Sequence, residues 1–247
     1  MLDTAGWREY LDPRRVLREG VARLPGDCPR CSARSRGARP CSACCPTLIA
    51  TMNAPRCTVC AHPLQAGSCP DCTQHKPAFE RVIAAFDYEG AGRDLVLLYK
   101  ARRWFYLSGA LGDLLAQAIA ASPQALHRST ILVPVPARRE AMLRRGFNPA
   151  AELARVISRR MGLPCQPAWL DRVADGSKQA MLGRSARRAA LDGVYSCRPV
   201  PAACHVAVVD DVLTTGSTLD VIARAFKAQG AASVTGLVLA RATQRNV

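Results

Sequence analysis

Four Cys-x-x-Cys pairs in the first third of the chain constrain its fold more than any other sequence feature. Nine of the twelve cysteines lie between residues 28 and 72, and eight of them form these pairs. A Cys-x-x-Cys turn places two thiolates on one side of a tight loop, and two such turns complete a tetrahedral site for Zn²⁺. Disulfides are disfavoured, because this spacing suits them poorly and a reducing cytoplasm opposes them. The predicted zinc ligands are Cys28, Cys31, Cys41, Cys44, Cys57, Cys60, Cys69 and Cys72.

The eight thiolates indicate two structural zinc ions. Four cysteines fill a zinc site and leave no open position for water. In small zinc peptides, metal binding supplies on the order of 10 kcal/mol of folding free energy per site. Sequential pairing of the turns gives two zinc ribbons, whereas a cross-brace joins the first turn with the third and the second with the fourth, and the sequence fits both. Cys45, His62 and His75 lie close to the turns and are interpreted as bystanders.

The cysteine-rich segment divides the chain into three parts. Residues 1–27 precede it and include REYLDPRRVLREGVARL, whose apolar positions predict a short amphipathic helix. Residues 28–76 form the predicted double zinc ribbon. From residue 77 to residue 247 the pattern changes, and strand and helix signals alternate.

Residues 77–247 carry the signals of an α/β domain. The predicted strands are RVIAAFDYE, TILVPVP, HVAVV and SVTGLVLA. The predicted helices are DLVLLYKARR, residues 109–121, NPAAELARVISRRMG and residues 217–229. Asn148 is a predicted N-cap, with Pro149 at the first helical position and Gly162 past the end. Strands that alternate with helices favour a mainly parallel sheet flanked by helices. Residues 170–195 are polar and basic, which predicts a mobile flap inserted into the domain.

The chain is strongly basic, with a formal net charge of +15 at pH 7, and 30 of its 34 basic residues are arginine. Such an excess favours polyanionic partners such as nucleic acid or phosphorylated metabolites. Several arginines are interleaved with the cysteine turns and suit a nucleic-acid or protein contact, namely Arg30, Arg34, Arg36, Arg39 and Arg56. Aromatic residues, on which bases could stack, make up only 5% of the chain. Binding of single-stranded DNA would therefore be mainly electrostatic and sensitive to salt.

The sequence contains no signal that directs it to a membrane. Its first residues, MLDTAGWREYLD, carry early acids and lack an apolar core, and Asp113 and Gln117 interrupt the most apolar helical stretch. We therefore expect a cytoplasmic protein without a transmembrane segment.

The stretch VVDDVLTTGST, residues 208–218, combines two adjacent acids with a run of small and hydroxyl residues. A buried strand is predicted to end in Asp210 and Asp211, and a helix to begin near Ser217. Ligands of open α/β sheets bind at the carboxyl ends of strands, where the backbone N–H groups of residues 215–218 can converge on a phosphate. No Lys follows, as it would in an NTPase P-loop. Because carboxylates accept hydrogen bonds from vicinal hydroxyls, the two acids fit the ribose of a ribose 5-phosphate.

VVDDVLTTGST resembles the phosphoribosyl-pyrophosphate (PRPP) signature of type I phosphoribosyltransferases. It is accompanied by the cysteine turns, YKARR around Lys100, VPVPARREAMLRRGFN at 133–148 and KQAMLGRSARR at 178–188. This combination is similar to the ComF family of competence-associated phosphoribosyltransferase-like proteins, which also includes bacterial proteins implicated in using DNA as a nutrient. The resemblance spans residues 28–241. It implies an α/β, type I phosphoribosyltransferase-like sheet flanked by helices, with a small N-terminal zinc-ribbon module whose zinc sites are each formed by four cysteines.

The resemblance also implies roles for individual residues. The two acids hold the ribose, residues 214–218 hold the 5-phosphate, and Lys100 and the turn after the VPVP strand contact the pyrophosphate. The implied PRPP-binding residues are Asp210, Asp211, Thr214, Thr215, Gly216, Ser217, Thr218, Lys100, Pro136, Ala137 and Arg138. The arginines implied to close over the ligand or to contact a nucleic-acid backbone are Arg144, Arg145, Arg184, Arg187 and Arg188. Mg²⁺ accompanies PRPP and bridges its oxygens. Ala190 stands where the family usually has Asn, and Tyr195 replaces a Phe.

Two functions follow from the resemblance and the charge. In the first, the protein binds PRPP and acts in DNA uptake, natural transformation or DNA utilisation, where it contacts single-stranded DNA and DNA-uptake or recombination proteins. In the second, it is an active phosphoribosyltransferase of nucleotide metabolism or salvage with an amido or nucleobase acceptor. The sequence identifies no general base and no catalytic residue.

Overall fold

A four-stranded parallel sheet forms the centre of the part of the chain that the structure describes. The computed structural model describes residues 24–37, 39–73, 75–101, 105–173 and 193–243. The strands are β1 (Pro25–Asp27), β2 (Arg34–Arg36), β3 (Arg81–Asp87), β4 (Thr130–Pro134), β5 (Leu170–Arg172), β6 (Tyr195–Cys197), β7 (His205–Leu213) and β8 (Ser233–Arg241). The helices are α1 (Cys44–Ala50), α2 (Gly90–Ala101), α3 (Ser108–Ala121), α4 (Arg139–Arg145), α5 (Pro149–Met161) and α6 (Ser217–Ala228).

The central sheet has the strand order β3-β8-β7-β4, and all three neighbouring pairs are parallel. The predicted α/β class with a mainly parallel sheet is therefore confirmed. Two short antiparallel pairs, β1 with β2 and β5 with β6, lie outside it. None of the helices among the described residues has the length and hydropathy needed to cross a bilayer.

The sheet is covered on both faces, as parallel sheets require. Alternate residues of β3 show the division. Val82 and Ala84 pack in the apolar cluster that contains the buried face of α6. Ile83 and Ala85 pack in the opposite cluster, together with α3 and α5. Because strand side chains alternate between faces, a single short apolar run supplies both layers.

The cysteine-rich segment is part of the same core. Cys60 and Cys69 belong to the apolar cluster that contains α6. Leu48 of α1 is buried, and α1 contacts β3. Since β3 is an edge strand of the sheet, the cysteine-rich segment helps to shield an edge that could otherwise pair with another chain.

The helix over RRGFNPAAEL is capped as predicted. The Asn148 side chain accepts a hydrogen bond from the backbone N–H of Ala150, Pro149 occupies the first helical position, and Gly162 ends the helix with φ at 68°. The capping side chain, the proline with its fixed φ and the left-handed glycine each act within a few residues of the helix end. This is why the sequence alone predicts this helix well.

The structure differs from the predicted pattern at three places. β7 does not end at Asp210 and Asp211, because its pairing with β8 continues to Leu213. The short helix α4 was not predicted; it has seven residues, and none of them is buried. The ends of the predicted flap form the β5–β6 pair. The rest of the flap, residues 174–192, and the predicted helix before residue 24 lie outside the described residues.

We expect Gly112→Ala to destabilise the protein and Gly109→Ala, three residues earlier in α3, to leave it unharmed. A Cβ at Gly112 would lie 2.6 Å from the Cβ of Val156 on α5, whereas a Cβ at Gly109 meets nothing within 4 Å. Overpacking of this kind costs about 1–3 kcal/mol, while Gly→Ala on an open helix face is neutral or slightly stabilising. Urea unfolding measures both. Equal free energies of unfolding for the two variants would contradict the close α3–α5 contact.

Candidate anion site and metal centres

The segments that sequence reasoning assigned to one ligand meet at one edge of the sheet. β4 and β7 are parallel neighbours, so their carboxyl ends lie side by side. The backbone N–H of Val135, which follows β4, donates to the carbonyl of Val209 at 2.9 Å. The turn Pro136–Arg138 therefore continues beside the aspartates at the end of β7 and the loop that follows this strand. Ligands of open α/β sheets bind at this kind of edge.

The loop of residues 214–218, called the anion loop below, leads into α6. Gly216 adopts φ of 77° and is the N-cap of the helix, a conformation that glycine adopts without strain. The hydroxyls of Thr215 and Ser217 are 2.9 Å apart. The N-terminus of a twelve-residue helix with such a loop presents backbone N–H groups and a positive dipole end to an anion.

The two aspartates occupy successive positions near the carboxyl end of β7. Asp211 forms an ion pair with Lys100 on α2, with 2.6 Å between Nζ and Oδ1. The Asp210 side chain accepts a hydrogen bond from the backbone N–H of Asp211 at 2.8 Å. Burial and the charge of Asp211 raise the pKa of Asp210 to about 7, although Lys100 acts in the opposite direction.

Lys100 is held in place by its neighbour Tyr99. The Tyr99 hydroxyl donates to the carbonyl of Pro149 at 3.1 Å, and its ring lies 5.3 Å from that of Phe147. Burial raises the pKa of Tyr99 well above its usual range. The end of α2 is thus fixed against the RRGFN segment, which brings the lysine to the same edge of the sheet.

Asn148 has a second contact that sequence reasoning missed. Besides capping α5, its Nδ2 donates to the carbonyl of Val135 at 3.0 Å. It therefore anchors the turn Pro136–Arg138 to the start of α5. Arg144 lies on the exposed surface of α4 and Arg145 is half-buried there. The flap arginines 184, 187 and 188, and Ala190, lie outside the described residues.

Tyr195, at the base of the flap, lies close to Asp210. Asp210 and Arg138 both influence the pKa of the Tyr195 hydroxyl, which burial raises and the nearby Arg172 lowers. Arg172 donates to that hydroxyl at 2.9 Å and lies 5.3 Å from the ring centroid. The hydroxyl that distinguishes Tyr195 from a phenylalanine therefore has a defined partner. Arg172 is a neighbour of the site that the sequence did not indicate, whereas Tyr195 stands at the position of the family's Phe.

The eight predicted zinc ligands form two clusters. In the first, Cys28, Cys31, Cys41 and Cys44 bring their sulfur atoms within 4.8 Å of one another, and in the second, Cys57, Cys60, Cys69 and Cys72 do the same. The pairing is therefore sequential, as in two zinc ribbons, and not a cross-brace. Among the described residues these are the two groups of three or more side chains that could hold a metal.

The sulfur distances suit zinc and not disulfides. Cys60 and Cys69 have their sulfur atoms 3.5 Å apart, and Cys57 and Cys72 have theirs 3.8 Å apart. A tetrahedron with Zn–S bonds of about 2.3 Å has edges of roughly 3.8 Å, whereas a disulfide bond is about 2.05 Å long. The backbone N–H of Cys72 also points to the Cys69 sulfur at 3.4 Å. The two clusters could thus each hold one zinc ion.

Neither neighbouring histidine belongs to a cluster. Nδ1 of the buried His62 lies 2.7 Å from the carbonyl of Pro63. His75 lies 3.5 Å from Asp220 on α6. Cys45 packs at the edge of the apolar cluster beside α3 and α5. Their interpretation as bystanders agrees with these positions.

Two buried Arg–Asp pairs join the second cluster segment to the carboxyl ends of β3 and β8. Arg56 binds both oxygens of Asp87, at 2.9 and 2.5 Å. Arg241 pairs with Asp71 at 2.5 Å, and their side chains are 1% and 5% exposed. Sequence reasoning missed both pairs; an arginine at the end of the apolar strand SVTGLVLAR was the one available signal.

The chain shares sequence with known proteins over most of its length. It matches the phosphoribosyl transferase domain over residues 141–247. It is 30% identical to competence protein F of Haemophilus influenzae over 196 residues, which cover 76% of this chain and 85% of that protein. The chain belongs to the ComF family. It is also 30% identical over 183 residues to DNA utilization protein YhgH of Salmonella typhimurium, covering 73% of this chain and 80% of that protein.

The ComF assignment agrees with the fold. The domain match, the parallel sheet and the cysteine clusters together confirm a phosphoribosyltransferase-like domain with an N-terminal cysteine module. The matched residues include the aspartates and the anion loop, whereas Lys100 and the turn Pro136–Arg138 precede them. The overlap with a solved purine phosphoribosyltransferase from Pyrococcus horikoshii is loose, with a TM-score of 0.28 at 16% identity over 59% of this chain and 85% of that chain.

In this ComF chain, we expect Asp210→Asn to stabilise the ligand-free protein, and more so as the pH rises. A folded-state pKa raised to about 7 from 3.8 means that folding favours the proton. The stability that Asp210 contributes is therefore complete below the unfolded pKa and is lost as pH rises through the folded one. Thermal unfolding at about pH 5 and about pH 8 should show a gain on the order of 1 kcal/mol that is larger at the higher pH.

The control for this experiment is Asp94→Asn, which removes an exposed carboxylate of α2. It should leave stability unchanged at both pH values. A gain from Asp210→Asn that is equal at both would show that Asp210 is already ionised at the lower pH.

Proposed function

We propose that this protein binds PRPP with Mg²⁺ at the β4–β7 edge of its sheet and acts in DNA uptake or DNA utilisation, where it contacts single-stranded DNA. One observation supports PRPP as the ligand. The aspartates, the anion loop, Lys100 and the turn Pro136–Arg138 lie at the same edge although they come from three separate stretches of chain. The biological role is supported by the names of two relatives, competence protein F and DNA utilization protein YhgH.

The chemistry of this edge fits a ligand with hydroxyls between two anionic groups. The anion loop offers N–H and hydroxyl donors to a 5-phosphate. Asp210 and Asp211 accept hydrogen bonds from ribose hydroxyls, and Lys100 and Arg138 supply positive charge for a pyrophosphate. The ion pair between Lys100 and Asp211 keeps the ligand-free site from carrying two uncompensated negative charges. Acids beside an anion site are thus compatible with PRPP.

Mg²⁺ would be held mainly by the ligand's own oxygens. The groups of three or more potential metal ligands in the described residues consist of cysteines and not carboxylates. Mg²⁺ typically binds through one or two carboxylates plus substrate phosphates. Asp210 and Asp211 are the residues of this edge suited to that part, and the metal would then neutralise charge on the pyrophosphate.

Calorimetric titration of Mg²⁺–PRPP tests the ligand. We expect wild-type protein to bind, and Asp210→Ala with Asp211→Ala to weaken binding by at least about tenfold, since both partners of the ribose hydroxyls are lost. Asp94→Asn removes an exposed carboxylate from α2 and should leave affinity unchanged. Equal binding by wild type and the double variant, or no binding by either, would overturn the proposal.

A second candidate is an active phosphoribosyltransferase, which the domain match over residues 141–247 favours. A nucleophile would displace pyrophosphate at C1 of the ribose through a cation-like transition state, and the protein would contribute positioning and charge stabilisation. Release of pyrophosphate from PRPP in the presence of nucleobases or amide donors would support this candidate. Binding of PRPP without such release would support the accessory role.

The DNA contact is expected to be electrostatic. The net charge is +15, and exposed arginines surround the first cysteine cluster, among them Arg34 and Arg36 of β2. Phe105 and Tyr106 are 60% and 41% exposed and could add stacking surface. These features support binding of a flexible single strand without strong sequence preference.

We expect the affinity for an oligothymidine to fall by a factor of roughly ten to a thousand between about 50 mM and about 200 mM salt. Arg34→Ala with Arg36→Ala should flatten the salt dependence by about one to two units of slope, because each lost phosphate contact releases one fewer counterion. Arg155→Ala, on the exposed side of α5 and paired with Glu152, is the matched control and should not change the slope. Fluorescence anisotropy measures both; an affinity that ignores salt would exclude this mode of binding.

A further inference from the structure

The buried guanidinium of Arg241 lies between the second cysteine cluster and the anion loop. Arg241 is the last residue of β8 and is 1% exposed. Its Nε donates to the carbonyl of Cys60 at 2.9 Å, and its Nη2 pairs with Asp71 at 2.5 Å. Cys60 is a ligand of the second cluster, and Asp71 directly precedes another ligand, Cys72. One side of the guanidinium is therefore bound by residues whose positions zinc at the second cluster would fix.

The other side of the guanidinium holds the start of the anion loop. Nη1 donates to the carbonyl of Thr214 at 2.5 Å and to that of Leu213 at 3.3 Å. A trans peptide is planar, so its C=O and N–H point in opposite directions. By fixing these two carbonyls, Arg241 turns the N–H groups of Thr214 and Thr215 away from itself. Those N–H groups belong to the loop that presents donors to the phosphate.

These contacts depend on one another because arginine stays charged when it is buried. A buried guanidinium needs nearly all of its donors satisfied and an opposite charge close by. Its opposite charge is Asp71, and its carbonyl partners come from the cluster, from the loop with the residue before it, and from its own neighbour Ala242. If the second cluster loosens, Asp71 and the Cys60 carbonyl are no longer fixed, and the guanidinium cannot keep its position against the loop carbonyls.

We propose that Arg241 is a positioning residue that makes the geometry of the anion loop depend on zinc at the second cysteine cluster. The identity of the ligand rests on the proposed function, whereas the coupling rests on the contacts of Arg241 alone. The first cluster is connected elsewhere: Arg39 pairs with Asp113 on α3 at 2.6 Å. Zinc at the second cluster should therefore strengthen PRPP binding, and zinc at the first should not.

Thermodynamic linkage makes this coupling reciprocal, so PRPP should retain zinc at the second cluster by the same factor by which zinc favours PRPP. The rate of zinc loss to a chromogenic chelator reports the direction of this coupling, although the equality of the two factors holds only for the binding free energies. In wild type, Mg²⁺–PRPP should slow the release of one of two zinc ions and leave the other unchanged. Cys31→Ser, which alters the first cluster, identifies which ion is which.

Arg241→Met and Arg56→Met form a matched pair. Each removes an arginine that joins the second cluster segment to the sheet, but Arg56 donates to Asp87 and to the carbonyl of Ala61, whereas Arg241 donates to the carbonyl of Thr214 in the anion loop. Among variants that retain two zinc ions, Arg241→Met should weaken PRPP binding by about tenfold or more and abolish the protection of zinc by PRPP. Arg56→Met should retain the affinity for PRPP and the protection of zinc by PRPP. Arg241→Lys should bind PRPP more tightly than Arg241→Met but less tightly than wild type.

Hydrogen exchange of residues 213–218 tests the coupling without PRPP. Zinc removal from the second cluster by Cys72→Ser should speed the exchange of these amides by about tenfold or more, whereas Cys31→Ser should not. Unchanged exchange would overturn the inference whether or not PRPP binds. Faster exchange in a protein whose wild type gives no calorimetric signal with PRPP would support the coupling and exclude the proposed ligand.

The zinc-release measurement decides the matter if the serine variant does not fold. In wild-type protein that binds PRPP, slower release of one zinc ion supports the inference. Equal effects of PRPP on both ions, or on neither, would overturn it, as would full protection in Arg241→Met.

Discussion

The need to bury both faces of a parallel sheet governs this structure. One face is covered by α3 and α5, as expected of an α/β domain. The other is covered by α6 together with the second cysteine segment, whose Cys60 and Cys69 lie in the same apolar cluster as the sheet residues. The cysteines of the second cluster therefore have a packing role besides the metal site that they could form, because they complete the layer against which the central strands pack. The polar side chains of the candidate site lie at the carboxyl edge of the sheet, between these two layers, so their positions depend on the packing of both.

The parts of the fold that local chemistry determines were predictable. The strands HVAVV and SVTGLVLA and the helix that begins at Asn148 follow from apolar runs, a capping side chain and a left-handed glycine, all of which act within a few residues. The extension of β7 past Asp211 depends on its pairing with β8, and no local sequence pattern indicates it. The sequential pairing of the cysteine turns also needed the structure, because both pairings satisfy the same spacing.

The candidate site divides in the same way. Its signature loop and aspartates are contiguous in sequence and could be identified from it. The ion pair of Asp71 with Arg241 joins residues 170 positions apart, and no pattern along the chain connects them. Not every arginine lies on the surface. Arg56 and Arg241 are largely enclosed in ion pairs with Asp87 and Asp71, so they hold the molecule together. Because each pair sums to zero, the net charge of +15 belongs to the remaining residues.

The shared apolar layer has a consequence for how such a protein can be divided. A chain shortened to begin at residue 77 would keep every strand of the central sheet and the whole anion loop. It would nevertheless expose the apolar face that Cys60 and Cys69 now cover, and it would leave the guanidinium of Arg241 buried without a counter-ion. The phosphoribosyltransferase-like domain therefore depends on the cysteine segment, and a gene fusion that exchanged this segment for another would have to supply a carboxylate at the position of Asp71.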